Sequence, residues 1–147
     1  MIGEKILQIG KAMLKIKSDS IIVKSSAKKC VEYLCDLNNY QFLLPKDKIN
    51  NWQSSKDFCI FSIQKAYTLD IVKELSNNDQ ILLKSGVKSQ FKFCIKIKIQ
   101  EKSTNSCTTQ IICEANVNPL LKVMVGKPLN ELFNHMANNI EKAISVD

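Results

Sequence analysis

Apolar and polar side chains alternate with a period of two through most of the middle of this chain. Residues 91–100 show it best: Phe91, Phe93, Ile95, Ile97 and Ile99 share one side, and Lys92, Lys96 and Lys98 the other. Residues 107–117 repeat the pattern with Cys107, Thr109, Ile111, Cys113, Ala115 and Val117 on one face. Residues 58–64 set Cys59, Phe61 and Ile63 against Ile60 and Ser62, and residues 66–75 set Tyr67, Leu69 and Ile71 against Thr68 and Asp70. Residues 49–54 and 80–87 complete the series, and turn residues such as Ser-Ser-Lys-Asp and Ser-Asn-Asn-Asp punctuate it. Alternation of this kind predicts antiparallel strands with one dry face and one wet face.

The two ends of the chain read differently. Residues 14–24 alternate as a first strand, slip at Ile21-Ile22-Val23, and so predict a bulge or a strand end covered on both faces. Ser25-Ser26 offers an N-cap to a short helix over residues 27–35, and residues 40–45 form a second short helical turn closed by Pro45. The last segment changes period. From Leu129 the apolar positions are Leu132, Phe133, Met136, Ile140 and Ile144, three or four apart, behind an Asn118 cap and Pro119 in the first turn. A helix of about 26 residues is roughly 39 Å long, nearly the length of a long strand. Gly126-Lys127-Pro128 interrupts it, so a kink or break is expected there, with a mobile front piece carrying Met124 and a fixed rear piece.

Seven strands, two short helices after the first strand, and one terminal helix predict an α+β domain over residues 14–147. A curved antiparallel sheet would wrap that helix. Residues 1–13 stand apart: Ile2, Ile6, Ile9 and Met13 have helical spacing, but Gly3 and Gly10 weaken a helix. They read as a frayed extension upstream of a true start at Met13, as a short helix on the domain, or as a membrane-surface anchor.

Composition narrows the partners. The net charge of +7 comes entirely from Lys, with no Arg. A planar guanidinium is the usual tool for bidentate phosphate or guanine recognition, so specific nucleic-acid binding is not expected. No apolar run reaches the ~20 residues of a bilayer span, and the N-terminal residues lack the apolar core of a signal peptide. Cys30, Cys35, Cys59, Cys94, Cys107 and Cys113 include no Cys-x-x-Cys pair, and the sole histidine, His135, is remote from them. No metal site is expected, and free thiols behaving as small hydrophobes fit a cytoplasmic protein.

The element order resembles the START-like (SRPBCC) helix-grip domains, which include polyketide cyclases, pollen-allergen-type ligand binders and lipid-transfer domains. The likeness is carried by Ile22-Val-Lys-Ser-Ser-Ala, Leu37-Asn-Asn-Tyr-Gln-Phe-Leu-Leu-Pro45, Asn51-Trp52-Gln53 and Asn118-Pro119-Leu120-Leu121. It is nearest to small bacterial members of unassigned function. A looser similarity links the Tyr…Phe-Leu-Pro stretch to the coenzyme Q-binding and ribosome-associated branch. The resemblance implies a cavity between sheet and terminal helix. The alternation supplies its lining: Phe61, Ile63, Leu69, Phe93, Ile95, Ile111 and Cys113 on the sheet, faced by Met124, Phe133 and Met136. The same residues serve equally as ordinary core.

Three functions follow as expectations. The first is non-enzymatic binding or transport of a small hydrophobic molecule such as a lipid or quinone, by a monomer or homodimer without a cofactor. The second uses Lys92, Lys96, Lys98 and Lys102 for weak contact with a ribosome, another partner or an anionic membrane. The third is a cyclase- or hydrolase-like enzyme, for which Thr109, Ser62 and Ser85 are the only polar groups near the inner face. No catalytic residue is assigned: His135 is expected to face solvent, and Asp70, Glu74 and Glu114 to be solvated.

Overall fold

A computed structural model describes residues 12–146. Eight strands form one antiparallel sheet: β1 (Ala12–Lys17), β2 (Ile21–Val23), β3 (Ile49–Ser54), β4 (Phe58–Ile63), β5 (Tyr67–Ser76), β6 (Gln80–Ser85), β7 (Lys92–Ser103) and β8 (Ser106–Val117). Spatial order is β1-β8-β7-β6-β5-β4-β3, and β2 also pairs with β8. The count is eight because the first expected strand divides. Ser18 leaves the ladder, its backbone N–H donating to the Ile111 carbonyl and its hydroxyl accepting from the Ile111 N–H. The chain resumes pairing at Ile21↔Thr109. The expectations for residues 1–13 lie outside the described residues except at Ala12 and Met13, which already pair with β8.

Helix α1 (Ala27–Leu34) and a 3-10 helix (Leu37–Phe42) follow β2. Ser26 caps α1 by accepting from the Lys29 N–H, as Asp36 caps the 3-10 turn through Asn38. Tyr40, in that turn, is buried, and its hydroxyl donates to the Leu34 carbonyl at 2.8 Å, fastening one short helix to the other.

Register sorts the sheet into two faces. Leu83, Ile95, Cys113 and Ile16 lie opposite one another along one row, and Ile81, Ile97 and Ile111 along the next. All seven are buried in a single core. The β4–β5 hairpin turns at Gln64 and Lys65, both at positive φ (53° and 59°). That matches the twist of the flanking strands, at a cost of roughly 1 kcal/mol or more for each non-glycine residue.

Helix α2 (Pro119–Val146) closes the inner face. Asn118 caps it, its side-chain oxygen accepting from the Leu121 N–H at 2.7 Å. The expected break at Gly126-Lys127-Pro128 is absent: the helix runs through Pro128. Val125 and Leu129, both buried, hold the backbone against the core on either side. Tertiary packing thereby outweighs the ~3 kcal/mol a proline costs a helix interior.

Candidate functional site

Of the ten residues expected to line a cavity, nine are brought together as packed interior. Phe61, Ile63, Leu69, Phe93, Ile95, Ile111, Cys113, Phe133 and Met136 are each 5% exposed or less and belong to one cluster. Phe61 stacks on Trp52 with ring centroids 5.5 Å apart. Met124 is the exception. Expected to face inward, it is 50% exposed, because the helix turns Val125 and Leu129 to the core and leaves Leu120, Val123 and Met124 outside.

A hollow of about 640 Å³ opens elsewhere, between the α1–3-10 segment and the rear of α2. Tyr33, Phe42, Leu44 and Pro45 form its apolar wall, and His135, Asn139, Lys142 and Ala143 face them from α2. Helical geometry explains that facing set, since positions 135, 139, 142 and 143 are separated by one or two turns and share a side. The wall exists because the 3-10 turn cannot bury every apolar residue it carries: Tyr40 and Leu43 go inward, and Phe42 is left 56% exposed over the hollow.

His135 is the chemically distinctive group here. Its Nδ1 lies 3.0 Å from the Leu43 carbonyl oxygen. A carbonyl only accepts, so Nδ1 carries the hydrogen and the neutral ring keeps its lone pair on Nε2. The Asn139 side-chain nitrogen donates to the His135 carbonyl at 2.7 Å and sits 3.5 Å from Nε2. Sequence reasoning set His135 aside as a solvent-facing residue. It is indeed exposed, but it borders a built groove. The available signal was its place at the margin of the apolar stripe, next to Phe133 and Met136.

Polar groups expected near the interior do not converge. Thr109 is inside, 1% exposed, with its hydroxyl oxygen unpartnered. Ser62 lies 3.5 Å from the Thr68 hydroxyl, and Ser85 accepts from the Phe93 N–H. Asp70 corrects an expectation, since it is buried at 6% exposure rather than solvated. The β6–β7 loop folds over it: Lys88 N–H donates to the carboxylate, Ser89 exchanges hydrogen bonds with the Asp70 backbone, and a side chain on Gly86 would collide with the carboxylate. Glu74 and Glu114 are exposed as expected.

A larger hollow, about 1030 Å³, opens on the outer face of the sheet against Phe58, Ile60 and Val72. Also on that face, Lys92, Lys96 and Lys98 are exposed, and none of them makes an ion pair among the described residues. Burial pushes the Cys30 and Cys59 thiols far up, and Cys113 up to about 12. These thiols are therefore protonated and inert as nucleophiles. Among the described residues no three His, Cys, Asp or Glu side chains converge on a metal position, and no helix is long and apolar enough to cross a membrane.

No family model and no curated protein matches the sequence. Solved structures do match. A START superfamily protein from Mycobacterium smegmatis aligns at 16% identity and TM-score 0.70, over 90% of this chain and 98% of that one. Norcoclaurine synthase from Thalictrum flavum aligns at 16% identity and TM-score 0.69, over 97% and 92%. It is also known in complex with dopamine and hydroxybenzaldehyde. A protein from Thermus thermophilus aligns at 9% identity and TM-score 0.71, over 90% and 97%. At such identities the likeness speaks to architecture alone, and it agrees with the sheet order and the terminal helix: the protein has the START-like, helix-grip fold.

Proposed function

We propose that this chain binds a small hydrophobic molecule without transforming it, as a carrier or sensor, and that the groove beside His135 receives the molecule. The observation that carries this reading is the hollow of about 640 Å³ with Tyr33, Phe42, Leu44 and Pro45 on one side. A concave volume of that size, with an apolar wall on one side and Lys46, Asp47, His135, Asn139 and Lys142 around it, suits a molecule with an apolar body and a polar end. A related fold that holds small aromatic molecules in another protein adds support. The seven packed sheet residues beneath α2, with Phe133 and Met136 of α2 itself, belong to the same proposal as contacts for a longer ligand, which would reach them by parting α2 from the sheet. A cytoplasmic setting fits the free thiols Cys30, Cys35, Cys59, Cys94, Cys107 and Cys113.

Organic extraction of the freshly purified protein followed by mass spectrometry tests the reading, with a Nile red titration of the extracted protein beside it. The expected outcome is a co-purifying hydrophobic compound or saturable dye binding that Phe42→Asp weakens. An empty extract together with no saturable dye binding overturns it.

The exposed row Lys92, Lys96 and Lys98 favours a second reading, a weak electrostatic contact with a ribosome or an anionic surface. Sedimentation with ribosomes over a salt series tests it, because binding by counterion release collapses as salt rises. Absence of co-sedimentation at low salt removes it.

A further inference from the structure

We infer that the groove selects hydrophobic molecules bearing a hydroxyl donor, and that Nε2 of His135 is the acceptor that selects them. The inference rests on the ligand-binding reading above and adds the chemical class. Three observations converge on it. The Leu43 carbonyl takes the hydrogen on Nδ1 at 3.0 Å, which selects, for the uncharged ring, the tautomer whose lone pair is on Nε2. That ring borders a hollow whose opposite wall is Tyr33, Phe42, Leu44 and Pro45, so an apolar body fits against the wall while its polar end meets the ring. The Asn139 amide donates one hydrogen to the His135 carbonyl at 2.7 Å, and its second reaches Nε2 only at 3.5 Å, a long contact that a ligand hydroxyl at ordinary distance displaces. Its 3.2 Å approach to Nδ1 adds no bond, because both nitrogens there are donors.

The charged groups around the groove do not supply the same recognition. Lys46 and Lys142 are donors only; Asp47, an exposed carboxylate, accepts as well, and His135→Phe separates its share from that of Nε2. An acceptor held at fixed orientation beside an apolar wall discriminates between an alcohol and its methyl ether, which differ in one donor and one methyl group. An alcohol places its O–H on Nε2; the ether brings two lone pairs together.

The test uses octanol and its methyl ether as probes, in competition with Nile red, and the imidazole nitrogens observed by NMR. His135 is the sole histidine of the chain, so one imidazole pattern reports on the site without ambiguity. The free protein is expected to show the Nδ1–H tautomer, and octanol, unlike the ether, to shift the Nε2 resonance. The octanol-to-ether affinity ratio should be roughly three- to tenfold higher in the parent than in His135→Phe, the range of one net hydrogen bond. Ether binding should persist in the variant. An Nε2–H tautomer, or an octanol-to-ether affinity ratio that His135→Phe leaves unchanged, overturns the inference and leaves the ligand-binding reading standing. If neither probe displaces a dye that binds saturably, the inference falls and the ligand-binding reading stands; an empty extract with no saturable dye binding sinks both. Circular dichroism of His135→Phe guards against a folding defect, and the NMR readout needs no variant.

Discussion

Helix α2 is one continuous element, yet its two halves live in different surroundings. From Leu129 to Ile144 it buries Leu129, Leu132, Phe133, Met136, Ala137, Ile140 and Ile144. The same half is tied by polar contacts to four separate segments: Glu131 to Lys48, Asn134 to the Asp19 N–H, His135 to the Leu43 carbonyl and Glu141 to the Lys24 N–H. The front half, before Gly126, buries only Val125 fully and exposes Leu120 at 71%, Val123 at 80% and Met124 at 50%. Its chief polar anchor is its own Asn118 cap. Continuity of hydrogen bonding along a helix thus says little about how firmly each turn is held; packing decides that. The rear half is what gives the groove its firmly held wall.

The largest effect that separates the halves is a cavity. Phe133→Ala should cost about 3–5 kcal/mol in denaturant unfolding, since a fully buried aromatic leaves both lost transfer energy and a void. A cost under about 1 kcal/mol would mean that the rear half is no better packed than the front.

Alkaline pH offers a second lever on the packed side. Burial holds the Cys113 thiol up to about 12, with the nearby Cys94 and Glu114 charges adding to it, and burial raises Cys30 and Cys59 in the same direction. Thiols in the unfolded chain ionise near pH ~8.5, while the folded protein keeps these protonated. Their contribution is intact below that point and is lost as pH rises from there toward about 12. The melting temperature should fall over that interval, and Cys113→Ala should flatten the fall. A pH-independent melting temperature would contradict the burial.

A smaller effect belongs to the front. Asn118→Ala should cost about 1 kcal/mol and speed amide exchange over residues 119–125 while leaving residues 129–144 unchanged. Equal acceleration in both halves would show that they open as one unit. The smallest effect is expected at Val123→Ser, within about 0.5 kcal/mol of the parent, because the side chain is already in water. A large loss there would place Val123 in a contact that the isolated chain does not have.

Much of this fold was legible along the chain because its signals are local. Strict alternation over residues 91–100 and 107–117 places every inner residue of β7 and β8 correctly, since a period of two leaves no choice of face once one face is buried. Ser26 and Asn118 announce their helices by the same short-range chemistry. Local signals failed where a distant segment intervened. Asp70 read as solvated because alternation puts it on the outer face, and nothing in residues 66–75 reveals that Gly86 and Lys88 will close over it. Met124 read as inward because it sits in an apolar stretch, yet Val125 one residue on takes the core position.

What the sequence by itself determined is the set of elements, their faces and their order, for each is settled by side chains within a few residues of one another. The groove is another matter. Its wall comes from residues 33 and 42–45 and its opposite side from residues 135–143, about ninety positions later. The tautomer of His135 depends on a backbone carbonyl at Leu43 that no side-chain pattern encodes. Pro128 forecast a kink or break by its own chemistry, and with Val125 and Leu129 held in the core the helix runs through it unbroken. In each case the deciding free energy lies in a contact between segments far apart in the chain, and such contacts exist only once the sheet has curved and α2 has docked upon it.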